Sequence, residues 1–372
     1  MGIPFIDLKA QMEKIGPDVR TAIDAVLAHG QFIMGPEVER LEQELVRYVG
    51  AEHAVACGSG TDALLMALMA RGIGPGDAVF TPPFTFVATA EVVALLGATP
   101  VFVDIDEEGL NLDPALLEEA VRKVRQAGDL NPRAVIPVDL FGLPADYREL
   151  MAVAERHGLF VLEDAAQSFG GRYFGRVCGA LGHIGATSFF PAKPLGCYGD
   201  GGAIFTRDAA EAEVLRSIRV HGQGRNKYDN VRIGLNGRLD TIQAAVLLVK
   251  LEVFPEELEA RQRAASRYTT GLAGLVRTPA TPEDRLCAWA QYSVRSPNRE
   301  SIQGALQDAG IPSAIYYPKP LHLQEAFRNL GYGPGDFPVS ESAAREIFSL
   351  PMHPYLTDDT VDRIVETIRG AV

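Results

Sequence analysis

From His53 onward, short apolar runs alternate with segments of helical period, and this alternation limits the fold more than any other feature of the chain. His53–Cys57 reads as a strand and Thr61–Arg71 as a helix. Ala78–Thr81 is strand-like and Val87–Leu96 helical. Thr99–Asp104 is followed by a helix over Pro114–Arg125, and Ala134–Asp139 by one over Tyr147–His157. Leu159–Glu163, Ala186–Phe190 and Gly202–Thr206 complete the strands. Repeated βαβ units imply a parallel sheet covered by helices on both faces.

Two helices precede this array: one over Pro17–Leu27, and one opened by Gly35-Pro36 and closed by Gly50. After it, Arg207–Arg219 is helical. Leu239 to Tyr268 reads as one long helix with Pro255 as the place for a kink. A strand at Tyr292–Arg295 and helices at Ser301–Ala309 and Asp358–Arg369 follow. The 372 residues therefore divide into a large domain over 1–250 and a smaller one over 251–372.

Charge narrows the partners. The 48 acids against 35 bases leave a net charge of −13, which repels nucleic acid and anionic membranes. No apolar run reaches the ~18 residues of a membrane span. The segment Met1–Asp7 lacks the basic-then-apolar order of a secretory leader. Cys57, Cys178, Cys197 and Cys287 form no CxxC pair. They read as reduced thiols, and the expected location is the cytoplasm. His29, His53, His157, His183 and His353 show no metal-ligand spacing, so no metal is expected.

Cys57-Gly58-Ser59-Gly60-Thr61-Asp62-Ala63 joins a strand to a helix and fits G-x-G-x-x-A. A helix N-terminus with free amide hydrogens and close glycine backbone suits a phosphate. A dinucleotide site also needs an acid at the end of the following strand. That strand ends in Thr81-Pro82-Pro83, and Asp77 precedes it, so a dinucleotide is disfavoured. Glycines that only permit a tight turn remain the other reading.

The chain has seven lysines. Lys9, Lys14, Lys123 and Lys227 lie in charged or polar surroundings, whereas Lys193 follows an apolar strand with no charged residue within six positions. A desolvated lysine loses pKa and becomes a usable amine nucleophile. A loop lysine that reaches solvent is the alternative. Leu159–Glu163 and Asp164 form an apolar strand ending in two acids, which would face the ligand crevice of a parallel sheet or else cap a helix or form a surface ion pair. Pyridoxal phosphate asks for an amine at its aldehyde, an acid at its pyridine nitrogen and an anion site for its phosphate. Lys193, Asp164 and the loop at Gly60 supply the three.

With these residues in place, the chain resembles the sugar aminotransferases of the DegT/DnrJ/EryC1/StrS family. The resemblance runs from Ile6-Asp7-Leu8 through Gly58–Leu64, Pro83–Thr89, Glu163–Ser168, Ser188–Lys193, Gly199–Ala203 and Gly234–Asp240 to Tyr316-Tyr317-Pro318. It implies fold-type I, like aspartate aminotransferase: an α/β large domain with a mostly parallel seven-stranded sheet, and a smaller C-terminal α/β domain. It implies that Lys193 is the catalytic lysine, carrying the cofactor and shuttling the proton. Asp164 would pair with the pyridine nitrogen, Gln167 would reach the ring hydroxyl, and Phe86 would stack on the ring. Gly60, Thr61 and Ser188 would hold the phosphate, with Asn236 reaching it from the partner subunit of a homodimer. The pyridoxamine form would be the intermediate state of the cofactor.

His221, Arg238, Tyr317 and His322 match segments that line the substrate side in relatives. Their plainer readings are a helix C-cap contact, an ion pair with Asp240, core packing and a turn residue. The segments His29–Pro36, His221-Gly222-Gln223 and Asn236–Thr241 are similar to a branch that makes 3-amino sugars for surface polysaccharide. The resemblance thus implies a UDP-sugar substrate, UDP-2-acetamido-2-deoxy-3-oxo-glucuronate, with L-glutamate as donor. A dTDP-linked 3-oxo- or 4-oxo-6-deoxyhexose is the runner-up. A dehydratase or lyase on this scaffold, and a cofactor-sensing protein without activity, are the other readings. Lys193 speaks against the dehydratase, because family members with that activity carry histidine there.

Overall fold

A computed structural model describes residues 2–226 and 228–372; Lys227 lies outside the described residues. The strands are β1 (His53–Cys57), β2 (Asp77–Thr81), β3 (Thr99–Phe102), β4 (Asn131–Val135), β5 (Phe160–Asp164), β6 (Arg172–Tyr173), β7 (Arg176–Val177), β8 (Ile184–Ser188), β9 (Gly202–Thr206), β10 (Arg285–Leu286), β11 (Tyr292–Arg295) and β12 (Ile347–Leu350). The helices are α1 (Leu8–His29), α2 (Pro36–Val49), α3 (Gly60–Ala70), α4 (Ala88–Leu95), α5 (Pro114–Ala127), α6 (Tyr147–His157), α7 (Ala209–Ile218), α8 (Thr241–Leu272), α9 (Arg299–Asp308), α10 (Pro338–Glu346) and α11 (Asp358–Arg369).

The main sheet has seven strands in the order β1-β9-β8-β5-β4-β2-β3. Neighbours from β8 to β3 run parallel, while β9 is antiparallel to both β8 and β1. No helix crosses between β8 and β9; the chain turns back through residues 189–201, so the return strand must be antiparallel. That turn carries Lys193. Since β1 is parallel to β8, the carboxyl ends of β1, β5 and β8 share one edge of the sheet.

Burial on both faces explains the near-continuous apolar strands. In β5, Leu162 packs with Leu64, Ala67 and Ile204 on one face, and Val161 packs with Phe80, Val121 and Leu150 on the other. Each such side chain contributes about 1.5–3 kcal/mol on burial. A third cluster joins Phe169, Phe189, Phe205 and Phe254 beneath α2 and α8.

The helix α8 continues through Pro255, and an expected division at residue 250 falls within it. Its far half packs Tyr268 and Leu272 against Tyr292 and Val294 of β11, Phe348 and Leu350 of β12, and Ile364 and Ile368 of α11. β11 and β12 form an antiparallel pair. All four cysteines are free and buried. Burial pushes the Cys197 thiol up to about 11 and the Cys287 thiol up to about 12, and raises Cys57 and Cys178 as well. Among the described residues, no helix is long and apolar enough to cross a membrane.

Candidate active site

The shared edge of β1, β5 and β8 brings together the ends of three segments. The turn after β1 enters α3, where Ser59 caps the helix by accepting from the Asp62 N–H at 2.9 Å. A Cβ on Gly60 would lie 2.7 Å from Ser188 Cβ, and one on Gly202 would lie 2.4 Å from Ser59 O. Glycine at both places lets the start of α3 sit flush against the ends of β8 and β9. Gly60 and Thr61 in the first turn of α3 thus lie beside Ser188, and a helix N-terminus of this kind suits a phosphate dianion.

Asp164 ends β5 and is buried. Thr89 Oγ1 donates to Asp164 Oδ2 at 2.8 Å, and the Ala166 N–H donates to Oδ1 at 3.2 Å. Burial raises the Asp164 pKa; the two donors and the charge of Lys193 oppose the rise. Lys193 is half-buried, in a turn closed by its own N–H to Phe190 O at 2.8 Å. Burial lowers its pKa and Asp164 opposes that fall.

Gln167 is buried beside Asp164. Its Oε1 accepts from the Phe141 N–H at 2.8 Å, and its Nε2 donates to Tyr317 Oη at 3.4 Å. The Tyr317 ring lies 6.1 Å from Phe84 and 6.4 Å from Phe86, and burial raises its hydroxyl pKa. Phe86 is 53% exposed, an open aromatic face beside buried polar groups. The structure thus brings Phe86, Gln167 and Tyr317 together, and sets Gly60 against Ser188. Thr89 and Phe141 were missed in the sequence. Thr85 and Thr89, four residues apart and 3.3 Å from each other, were the available sign of a polar helix face.

The remaining residues are placed differently. Gly237 O accepts from the Gly58 N–H at 3.1 Å, so residues 236–238 run beside the phosphate loop of their own chain. Asn236 is exposed and accepts from Arg238 Nε at 2.8 Å. Arg238 thus has Asn236 as its partner rather than the Asp240 expected in its plainer reading. His221 is exposed, with φ +62°, and its backbone bonds to Leu235 and Asn230. The His322 ring is enclosed: Nε2 meets Glu341 Oε1 at 3.2 Å and the ring packs 4.7 Å from Phe337. Burial lowers its pKa, and the ring's partners are Glu341 and Phe337.

This geometry agrees with the comparisons. The chain is 50% identical over 355 residues to UDP-2-acetamido-2-deoxy-3-oxo-D-glucuronate aminotransferase of Pseudomonas aeruginosa, covering 95% of this chain and 96% of that protein. It is 41% identical to dTDP-3-amino-3,4,6-trideoxy-alpha-D-glucose transaminase of Streptomyces venezuelae, covering 99% and 95%. A crystal structure of a DegT DnrJ EryC1 StrS aminotransferase from Brucella abortus superposes with a TM-score of 0.97 at 56% identity, covering 99% of each chain. The fold is that of the fold-type I pyridoxal-phosphate transferases. With residues 13–369 matched by the family model, the chain belongs to the DegT/DnrJ/EryC1/StrS aminotransferase family, whose members are pyridoxal-phosphate enzymes.

Proposed function

We propose that this aminotransferase moves the amino group of L-glutamate to C3 of UDP-2-acetamido-2-deoxy-3-oxo-D-glucuronate, with pyridoxal phosphate held at the edge of β1, β5 and β8. The observation that carries the chemistry is the contact of Gly60 with Ser188 at a helix N-terminus, at the edge where the buried Asp164 ends β5 and the turn after β8 carries Lys193. Pyridoxal phosphate supplies an aldehyde carbon for the amine and a ring that takes up electrons released at the substrate Cα. Gly60, Thr61 and Ser188 hold the phosphate. Asp164 keeps a proton on the ring nitrogen, and Lys193, with its lowered pKa, takes and returns the proton at the substrate carbon. The sugar preference rests on the P. aeruginosa relative, and the S. venezuelae relative supports a dTDP-sugar as the second reading.

A uronate carboxylate calls for a guanidinium that can donate two parallel hydrogen bonds. Asn236 engages Nε of Arg238, and end-on its Nη1 and Nη2 present such a pair. Arg238 is half-buried, and hydrogen bonds to a charged group contribute about 1.5–3 kcal/mol. Arg238→Ala is therefore expected to lose roughly 10-fold or more in kcat/KM on the uronate, and less on a dTDP-3-oxo-6-deoxyhexose. Incubation of each sugar with glutamate, read by mass spectrometry of the amino sugar, tests both points. Equal or better turnover of the dTDP-sugar by the unmodified enzyme would overturn the uronate assignment and leave transamination standing. Loss of the visible cofactor band on adding glutamate tests the donor.

The working unit in this proposal is a cytoplasmic homodimer with composite sites. Exposed apolar residues support it: Phe32, Ile33 and Met34 are 47%, 43% and 40% exposed, and Val231 and Ile233 are 55% and 84% exposed. Ile33 bridges to Asp240, next to the segment that holds Asn236 and Arg238. A second copy covering these residues would bring that segment toward a neighbouring site. Mixing inactive Lys193→Ala and Asn236→Ala chains is expected to restore up to about a quarter of the activity, because about half of the dimers are mixed and each of those holds one intact site. No recovery after proven subunit exchange would count against shared sites.

A further inference from the structure

We propose that Asp139, Phe141 and Ser168 are positioning residues that fix which end of the Gln167 amide meets the cofactor. The proposal rests on the pyridoxal-phosphate reading above. Two turns at the carboxyl ends of β4 and β5 are joined by four bonds. The Asp164 N–H donates to Pro137 O at 3.0 Å and the Asp139 N–H to Asp164 O at 3.1 Å. Ser168 Oγ donates to Asp139 Oδ2 at 2.7 Å, and the Phe141 N–H donates to Gln167 Oε1 at 2.8 Å.

The last bond decides the orientation. A backbone N–H can only donate, so the oxygen of the Gln167 amide must face Phe141 and its NH2 must face outward. Outward lies Tyr317 Oη, at 3.4 Å. Gln167 is therefore presented toward the cofactor as a donor, and the ring oxygen would accept its hydrogen bond.

Phe141 delivers its N–H from an unusual conformation, φ +58° and ψ 5°, which costs a non-glycine residue about 1 kcal/mol or more. Its surroundings hold it there. Asp139 Oδ1 accepts from the Ala145 N–H and from Tyr147 Oη, both at 2.9 Å. Asn111 Oδ1 accepts from the Leu140 N–H at 3.0 Å, and Asn111 Nδ2 donates to Leu143 O at 2.9 Å. From the other side the Ala288 N–H donates to Gly142 O at 2.9 Å. A Cβ on Gly142 would lie 2.7 Å from Trp289 N, so only glycine lets the segment of residues 288–291 press on this turn. Asp139 also neighbours Glu163 and Cys178, with ligand atoms within 4.8 Å of one another. Its oxygens are already engaged by Ala145, Tyr147 and Ser168, which marks it as a structural anchor.

A double-mutant cycle tests this with Ser168→Ala and Gln167→Ala. Pyridoxal phosphate is titrated into each apoprotein and the visible band gives the apparent Kd. Ser168→Ala is expected to weaken binding roughly 10-fold in the parent and to have no further effect once Gln167 is alanine. Additive effects would overturn the proposal, since a general loss of stability weakens both backgrounds alike. If Ser168→Ala is too unstable to purify, Asp139→Asn replaces it in the same cycle, because it keeps an oxygen for Tyr147 and Ala145. Absence of any band in the parent protein would overturn the cofactor reading itself; additivity with a normal band would overturn the positioning role alone.

Discussion

Lys193→Ala will fold like the parent, retain pyridoxamine phosphate and turn over at least about 10³-fold more slowly. The bonds that shape its turn are made by the backbone: Lys193 N–H to Phe190 O and Cys197 N–H to Phe189 O, both at 2.8 Å. Lys250 Nζ adds a bond to Gly196 O at 2.6 Å from α8. None of these involves the Lys193 side chain, so alanine leaves the turn intact and removes the amine. Borohydride reduction in the presence of pyridoxal phosphate, followed by peptide mapping, will place the cofactor on Lys193. Lys250 is the informative rival. It is buried, and its ammonium is pushed down to about 8 by desolvation. Its Nζ is held by Gly196 O and sits 4.2 Å from the centre of the Tyr198 ring. Label on Lys250 would sink the assignment.

Asp164→Asn will separate stability from activity. The substitution keeps shape and an oxygen for the Ala166 N–H, and its NH2 can donate to the Thr89 hydroxyl, but it removes the charge that would hold a proton on the ring nitrogen. Turnover should fall about 10²-fold or more. The apoprotein should become more stable, and the pH dependence follows from the sign of the shift. Burial raises the Asp164 pKa above its unfolded value. The cost of its charge is absent below the unfolded pKa, grows as pH rises, and is complete above the folded pKa. The melting temperature of apo Asp164→Asn should therefore exceed that of the parent near pH 7 and match it near pH 4. A gain that persists undiminished at pH 4 would mean that the burial of charge is not its cause.

Much of this arrangement was legible in residue order. Leu159–Glu163 carried its acids to the crevice because a strand buried on both faces must be apolar until it reaches an open edge. Strand β4 was harder: it begins in Asn131-Pro132-Arg133, residues with little strand preference, and its place comes from pairing with β2. Helix α1 begins at Leu8 and runs through Pro17, where the packing of Ile15 and Val19 against Val246 outweighs the missing donor. Helix α10 and β12 follow one another without a turn residue between Glu346 and Ile347, so no local sign separates them. At the site, Lys193 and Asp164 were visible as exceptions to their surroundings. Phe141 was not, because its part is played by a backbone N–H, and a left-handed phenylalanine leaves no mark in sequence.

The four buried thiols give the molecule a property unrelated to catalysis. Only the thiolate reacts with disulfide or maleimide reagents, and each cysteine is both shielded and held above its ordinary pKa. Reaction must therefore wait for local opening. The four are spread over different neighbourhoods: Cys57 before the phosphate loop, Cys197 after Lys193, Cys178 beside Asp139, and Cys287 in the core that contains β11 and β12. Thiol modification of the native enzyme consequently works as a map of breathing, with each labelled peptide timing the exposure of its own region.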